Sequence, residues 1–312
     1  MNAPDDTLTE SIMRGLRATP RTLPCALLYD ALGSTLFEAI THLPEYEVTR
    51  ADVRLINAHA GDVLDAMSSP VEVVELGPGA GRKALQFLTV VASRQRHTVF
   101  TAVDISREAL TLCARTLEAL PTVVVRSVEG TYLEGLSAAP RVDGARRLVL
   151  FLGSNLSNFD RSEAPRFLRD VRERLSPGDA LLLATDIGSD PARLVPAYDD
   201  ALGVTAAFNR NVLLRLNREW GADFDLSAFT HEARWNAPAR RMEMHLVATR
   251  ATVAHLRGES FTFAKGDAIW TESSHRFAVD ELRAWAVETG FACARQWTDA
   301  AWPFAHSLFV AV

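Results

Sequence analysis

The sequence predicts an α/β protein built on a parallel sheet and joined to a second, α+β lobe. Three observations carry this. From residue 71 short β-branched runs alternate with helical periods, the pattern of βαβ units. A glycine-rich turn, "ELGPGAGRKA" at 75–84, separates the first such strand from the first helix. The alternation stops near residue 188 and resumes only close to the C-terminus, so residues 189–276 read as an insertion. With 312 residues, 48% of them hydrophobic, the chain can fill one large core or two modest ones, which fits two lobes and not many.

Taken in order, "VEVVEL", helical "KALQFLTVVAS", "TVFTAVDI", "REALTLCARTLEAL" and "TVVVRSVEG" build the first half of the sheet. "RRLVLFLGS", the helix "SEAPRFLRDVRERL" and "ALLLATDI" continue it to about residue 187. The insertion opens with a long helical stretch, "DPARLVPAYDDALGVTAAFNRNVLLRLNREW", and passes into alternating segments such as "RRMEMHLVATRATV". "AVDELRAWAVETGF" and "HSLFVAV" then supply a helix and strand that rejoin the sheet. Residues 1–52 are expected to fold back on the insertion, which gives lobes 53–188 with 277–312 and 1–52 with 189–276. Within the first segment, "YDALGSTLFEAITHLPEYEVTR" reads as a short amphipathic helix. Gly33 and Ser34 are its expected turn and N-cap, Leu36, Phe37, Ile40 and Leu43 its apolar stripe, and Pro44 its stop. Tyr29 and Tyr46 fall at its two ends.

A net charge of −6 with no block of like charges argues against nucleic acid or anionic lipid as partners and leaves a small molecule as the default. The N-terminal "MNAPDDTLTE" is acidic where a signal peptide is basic and then apolar, and no apolar run reaches membrane-spanning length, so a cytoplasmic protein is expected. Cys25, Cys113 and Cys293 lack metal or redox spacing and read as small apolar residues. His275 has no second ligand at metal spacing; no metal and no role are assigned to it.

The glycine turn does not fit a dinucleotide fingerprint, because Arg82 holds the place of the third glycine. With acidic Glu75 ahead of Gly77, Gly79 and Gly81 it resembles the first motif of class I S-adenosylmethionine-dependent methyltransferases. Asp104 closes the second strand, where a carboxylate can accept both hydroxyls of a ribose; capping the following helix is its alternative role.

The tyrosine-flanked helix, "FLGSNLSNF" at 151–159, "AYDDALGVTAAFNRNVL" at 197–213, "RMEMHLVA" at 241–248 and "WTESSHRF" at 270–277 together resemble the histidine-specific Nα-methyltransferases of ergothioneine biosynthesis. The resemblance runs from about residue 26 to the end. It implies a Rossmann-like class I methyltransferase domain, 53–188 with 277–312, and an α+β substrate-binding domain, 1–52 with 189–276. It further implies S-adenosylmethionine as cofactor, L-histidine as substrate, hercynine as product, and a monomer.

By the same resemblance Tyr29 and Tyr46 lie beside the substrate amine as catalytic residues, Tyr46 and Asn158 hold the amino-acid end, Tyr198 bonds the carboxylate, and Met244 lines the pocket. Glu272 and Ser274 are implied to bond the imidazole; two apart on an extended segment, they share one face. A carboxylate and a hydroxyl satisfy both nitrogens of a neutral imidazole, which suits histidine better than tryptophan. Glu75, Gly77, Gly79, Lys83, Asp104, Thr131, Tyr132 and Gly153 are implied for the cofactor. The chain departs from the family at "GTY", residues 130–132, where mycobacterial-type relatives read G-D-F, so that a hydroxyl replaces a carboxylate at the adenine. It departs again at "GAGRKA", which keeps Lys83, and at Asn155 in place of a commoner threonine. Two other readings stand beside this one: an N-methyltransferase of another aromatic amino acid, such as a tryptophan derivative, and a cofactor-binding regulator that has lost catalysis.

Overall fold

Helix α1 (Asp6–Arg17) begins the part of the chain described by the computed structural model, residues 6–67 and 70–312. A two-residue strand β1 (Arg21–Thr22) and a short turn of 3-10 helix, Cys25–Leu28, lead into α2 (Ala31–Ile40). This helix starts four residues earlier than Ser34 as N-cap predicts. Asp30 is the N-cap, its carboxylate accepting the Gly33 amide at 2.7 Å, and Asp is at least as good a cap as Ser. Gly33 is inside the helix for a different reason: a Cβ there would lie 1.7 Å from the Leu28 carbonyl oxygen. The predicted turn residue is a close-packing residue.

Next come α3 (Glu47–Met67), β2 (Val71–Leu76), α4 (Arg82–Arg94), β3 (Thr98–Asp104), α5 (Arg107–Leu117), β4 (Val123–Glu129), α6 (Tyr132–Ala138), β5 (Arg146–Phe151), α7 (Ala164–Glu173) and β6 (Ala180–Asp186). The insertion holds α8 (Pro191–Tyr198), α9 (Val204–Trp220), β7 (Phe229–Asn236), β8 (Arg241–Ala248), β9 (Thr252–Leu256), β10 (Glu259–Phe263) and β11 (Ala268–His275). Helix α10 (Val279–Glu288) and strands β12 (Phe291–Thr298) and β13 (Phe304–Ala311) complete the chain.

The chain divides into two units, Met1–Tyr46 with Ser189–Ser274 and Glu47–Gly188 with His275–Val312. Residues 47–52 and 275–276, assigned by patterning to the first lobe, go with the second unit. The reason at 47 is physical: Glu47 opens a single 21-residue helix, and a continuous helix cannot change cores in its first turn.

The second unit has a seven-stranded sheet in the order β12-β13-β6-β5-β2-β3-β4. Strands β2 to β6 run parallel, while β13 is antiparallel to both β6 and β12. This is a Rossmann-like α/β fold. Every residue of β2 and β6 is buried, as expected for strands covered on both faces. One face packs a core of Val74, Val149, Phe151, Phe167, Leu183 and Phe309. The side chain of Arg147 is buried as well, and pairs with Glu72 at 2.8 Å.

In the first unit β1 adds in parallel to β11, Arg21 opposite Ile269, giving a four-stranded sheet β1-β11-β8-β7. That pairing is why the N-terminal segment and the insertion fold together. Helix α9, capped by Asp200 accepting the amides of Val204 and Thr205 at 3.0 and 2.7 Å, carries the middle of this unit.

Candidate active site

In the second unit the loops leaving β2, β3 and β5 lie at the carboxyl edge of a parallel sheet, where open α/β folds bind ligands. The turn after β2 has Gly77, Gly79 and Gly81 at φ 73, 55 and 75°, a region that side chains with a Cβ rarely adopt. Gly81 is needed on a second count, since a Cβ would come within 2.7 Å of the Cys113 sulfur. Tyr132 lies over this turn: its hydroxyl would be 3.4 Å, and Asn155 Nδ2 3.0 Å, from a Cβ added at Gly77. Edge contacts with Phe151 and Phe167 hold the Tyr132 ring.

Asp104 ends β3 with its carboxylate accepting the Ser106 amide at 2.9 Å. Burial raises its pKa above the ordinary carboxylate value against the opposing amides of Ser106, Gly79 and Ile105. The cap of α5 is Ser106, whose hydroxyl accepts the Ala109 amide, so Asp104 is not used as the cap. Thr131 instead is a helix cap, at the start of α6, and its hydroxyl donates to Glu134 at 2.6 Å. Its oxygen keeps acceptor capacity, the sense an adenine amine requires.

Glu75 is 0% exposed, and neither carboxylate oxygen has a hydrogen-bond partner among the described residues. Burial pushes its pKa up to about 8, with Lys83 opposing and Asp52 and Asp104 adding to the rise.

Asp52, on α3, was not singled out by the sequence, yet it is the hub of this region. Lys83 Nζ donates to Oδ2 at 3.0 Å, the Gly153 amide donates to the same oxygen at 2.7 Å, and His306 Nε2 lies 2.6 Å from Oδ1. Burial alone would raise the Asp52 pKa; Lys83 and His306 outweigh it and hold it at about 2. Three segments far apart in the chain are thus fastened by one carboxylate. The loop after β5 is fixed similarly. Ser154 sits at φ 64°, its hydroxyl accepting the Asp186 amide at 2.8 Å and lying 2.5 Å from the Ser157 hydroxyl. Asn158 follows at the end of a 3-10 turn, Asn155–Asn158.

In the first unit, Phe37 of α2 packs between the two predicted tyrosines, with ring centroids 5.9 Å from Tyr29 and 6.2 Å from Tyr46. Phe208 of α9 touches both Tyr29 and Phe37, at 5.8 and 5.9 Å. The amphipathic helix therefore places the tyrosines by its own core-facing ring. On the sheet side, the Tyr198 hydroxyl donates to Ser274 Oγ at 2.7 Å, joining the end of α8 to β11. Glu272 is half-buried on the same strand, and its carbonyl accepts the Trp270 indole N–H at 2.7 Å. Met244 is 2% exposed in β8, and its carbonyl lies 3.0 Å from the Thr271 hydroxyl.

The chain matches the family model described as "Histidine-specific methyltransferase, SAM-dependent" over residues 8–311. The chain belongs to this histidine-specific, S-adenosylmethionine-dependent methyltransferase family. It is 39% identical to a histidine N-alpha-methyltransferase of Mycolicibacterium smegmatis, across 98% of this chain and 95% of that one. It is 32% identical to ergothioneine biosynthesis protein 1 of Neurospora crassa, across 89% of this chain and 32% of that longer one. A 4-dimethylallyltryptophan N-methyltransferase of Penicillium roqueforti is more distant, 24% identical across 94% of this chain and 91% of that one. As a member of the histidine-specific family, this chain is an enzyme that methylates histidine with S-adenosylmethionine as methyl donor.

The residues at the sheet edge fit that donor. A buried carboxyl with both oxygens unpaired suits a cationic amino-acid end, the three left-handed glycines let backbone approach closely, and Asp104 offers acceptors to paired hydroxyls. His275, given no role by sequence, has Nε2 2.9 Å from Asp160. Besides Asp52 and His306, sequence reading missed Asn209 and His231, which lie behind Tyr198 and β11. Their only sequence signal was weak: Asn209 stands in a helical stretch, "TAAFNRNVLL", that also holds Thr205, Arg210 and Asn211.

Proposed function

We propose that the enzyme methylates the α-amine of L-histidine three times, giving hercynine, as a step of ergothioneine biosynthesis. The observation that carries this is the Tyr198–Ser274 hydrogen bond beside Glu272. Ser274 Oγ accepts from Tyr198, and a hydroxyl is by nature a donor as well, while the Glu272 carboxylate only accepts. A donor and an acceptor two residues apart on β11 match the two nitrogens of a neutral imidazole. An indole, with one N–H and no ring acceptor, would leave Ser274 unanswered, which disfavours a tryptophan derivative. The names of the relatives support the same substrate.

When bound, S-adenosylmethionine supplies a methyl group on a sulfonium centre. The work of the protein's residues is then alignment more than covalent chemistry. In this reading Glu75, Gly77, Gly79, Lys83, Asp104, Thr131, Tyr132 and Gly153 hold the cofactor. Asn158 and Tyr46 hold the amino-acid end, Tyr198 orients Ser274, Met244 walls the pocket, and Glu272 with Ser274 fixes the imidazole. The reacting amine must be neutral, whereas an α-amino group with a pKa near 8 is mostly protonated at pH 7. Starting from the protonated α-amine, one proton leaves before each of the three transfers, and the third transfer gives a fixed cation. The hydroxyls of Tyr29 and Tyr46 orient successive amines; a tyrosine of pKa near 10 is a poor general base. We take the enzyme to act as a cytoplasmic monomer on the free amino acid.

The test is mass spectrometry of products from histidine and tryptophan, with kcat/KM for both in the parent and in Glu272→Ala. Loss of a hydrogen bond to a charged group should lower the histidine value by about 10–100-fold and narrow its lead over tryptophan. A parent that prefers tryptophan, or a ratio unmoved by Glu272→Ala, would sink the reading.

A further inference from the structure

Asn209 of α9 is 0% exposed, and each of its polar atoms has a partner from a different element of the sheet beneath it. Its Nδ2 lies 2.9 Å from His231 Nδ1 on β7 and donates to the His245 carbonyl of β8 at 3.1 Å. Its Oδ1 accepts from the Thr271 hydroxyl of β11 at 2.6 Å. His231 Nε2 in turn lies 2.7 Å from the Tyr198 carbonyl oxygen.

These distances fix the proton positions. A carbonyl oxygen can only accept, so His231 carries its proton on Nε2; its Nδ1 is then an acceptor and takes one Nδ2 hydrogen of Asn209. Burial lowers the His231 pKa even though the Tyr198 carbonyl, Asp199 and Asp200 favour the cation, with Arg210 again opposing it, so the imidazole is neutral. Every hydrogen bond in the set has one direction only.

The partners are the neighbours of the proposed histidine contacts. Thr271 precedes Glu272 by one residue and Ser274 by three, its hydroxyl also lies 3.0 Å from the Met244 carbonyl, and His231 holds the backbone of Tyr198 itself. We propose that Asn209 is the positioning residue for histidine recognition, aligning the backbone of Tyr198 with the strand that carries Glu272 and Ser274. This rests on the histidine reading above. Asn209 does not touch the substrate; it acts through His231 and Thr271.

The experiment measures KM and kcat for histidine from pH 6 to 8.5, and S-adenosylhomocysteine affinity by calorimetry, in the parent, Asn209→Asp and Asn209→Leu. An aspartate turns two acceptors, His231 Nδ1 and the His245 carbonyl, against a third, and only protonated His231 relieves the first clash. At pH 8.5 the histidine KM of Asn209→Asp should exceed the parent's by about tenfold or more, the scale of one lost hydrogen bond with its partner stranded. That ratio should shrink as the pH falls to 6, while S-adenosylhomocysteine affinity stays within about twofold of the parent; Asn209→Leu should show the rise without the recovery. Should the Asn209 variants not fold, Thr271→Val removes the hydroxyl donor with little change of shape and should also raise KM, with Thr271→Ser restoring the parental value. A parental KM in Asn209→Asp at pH 8.5, or in Thr271→Val, overturns the proposal, as does an equal loss of histidine and S-adenosylhomocysteine binding, which marks a merely structural residue. A parent that binds S-adenosylhomocysteine but no histidine overturns the substrate reading itself, and is told apart from those outcomes because it appears before any substitution.

Discussion

Asp52 in the larger unit and Asn209 in the smaller each gather three polar partners in a buried position, but with opposite electrostatics. Asp52 is an anion whose partners are an ammonium, an amide and an imidazole. Asn209 is neutral, and so are the imidazole, the carbonyl and the hydroxyl around it. A charged hub gives strength and tolerance of pH, because its pKa of about 2 keeps it ionised wherever the enzyme works. A neutral hub gives direction: each proton has one place, and a single misplaced one disturbs the whole set. The first suits a loop cradle for a charged cofactor. The second suits discrimination between ring systems.

Removing the charge should separate the two most sharply. In Asp52→Leu, Lys83 loses its buried counter-ion, and by analogy with other broken buried pairs the cost is about 3–5 kcal/mol of stability, read from urea unfolding. S-adenosylhomocysteine affinity should fall with it. A loss below about 1 kcal/mol would mean that Lys83 swings to water and that Asp52 is no hub.

Glu75 tests the same region through pH. Its folded pKa, about 8, lies above the ordinary carboxyl value of 4.5, so its contribution is fully present below about pH 4.5 and is lost as the pH rises through 8. Asp52 has the opposite sign, with stability present above its unfolded value and lost as the pH falls through about 2. The ligand-free Glu75→Gln protein, compared with the parent, should therefore gain about 1–3 kcal/mol between pH 5 and pH 8. A difference independent of pH would show that Glu75 is ionised throughout.

The smallest effect is expected where a hydroxyl is lost and a ring is kept. Tyr46→Phe leaves the contact with Phe37, and should slow histidine methylation by an amount equivalent to about 0.5–1.5 kcal/mol without changing S-adenosylhomocysteine affinity. If rate and product distribution match the parent, Tyr46 is only a wall.

Local patterning determined a great deal. The period-2 and period-3.6 runs placed the strands and helices of the sheet because their burial is dictated by near neighbours, as in β2 and β6. The glycines at 77, 79 and 81 were legible because a left-handed backbone leaves few other choices. Gly33 misled for a different reason: what demands glycine there is the carbonyl of Leu28, five residues earlier, which the preceding 3-10 turn presses against the helix, and residue types alone do not reveal that turn's geometry. Asp52 looked like one more polar residue in a helix with a mixed surface, and Asn209 like one of two asparagines in "FNRN".

The sequence by itself thus settled the parallel sheet, the glycine turn and the family, each of which depends on residues close together or on spaced motifs. Only the tertiary structure decided which polar residues are hubs. Asp52 reaches Lys83, Gly153 and His306, and Asn209 reaches His231, His245 and Thr271, across tens to hundreds of residues. A buried polar atom is stable only with its partners in place, and those partners are brought together by the folding of the sheet, not by their order along the chain.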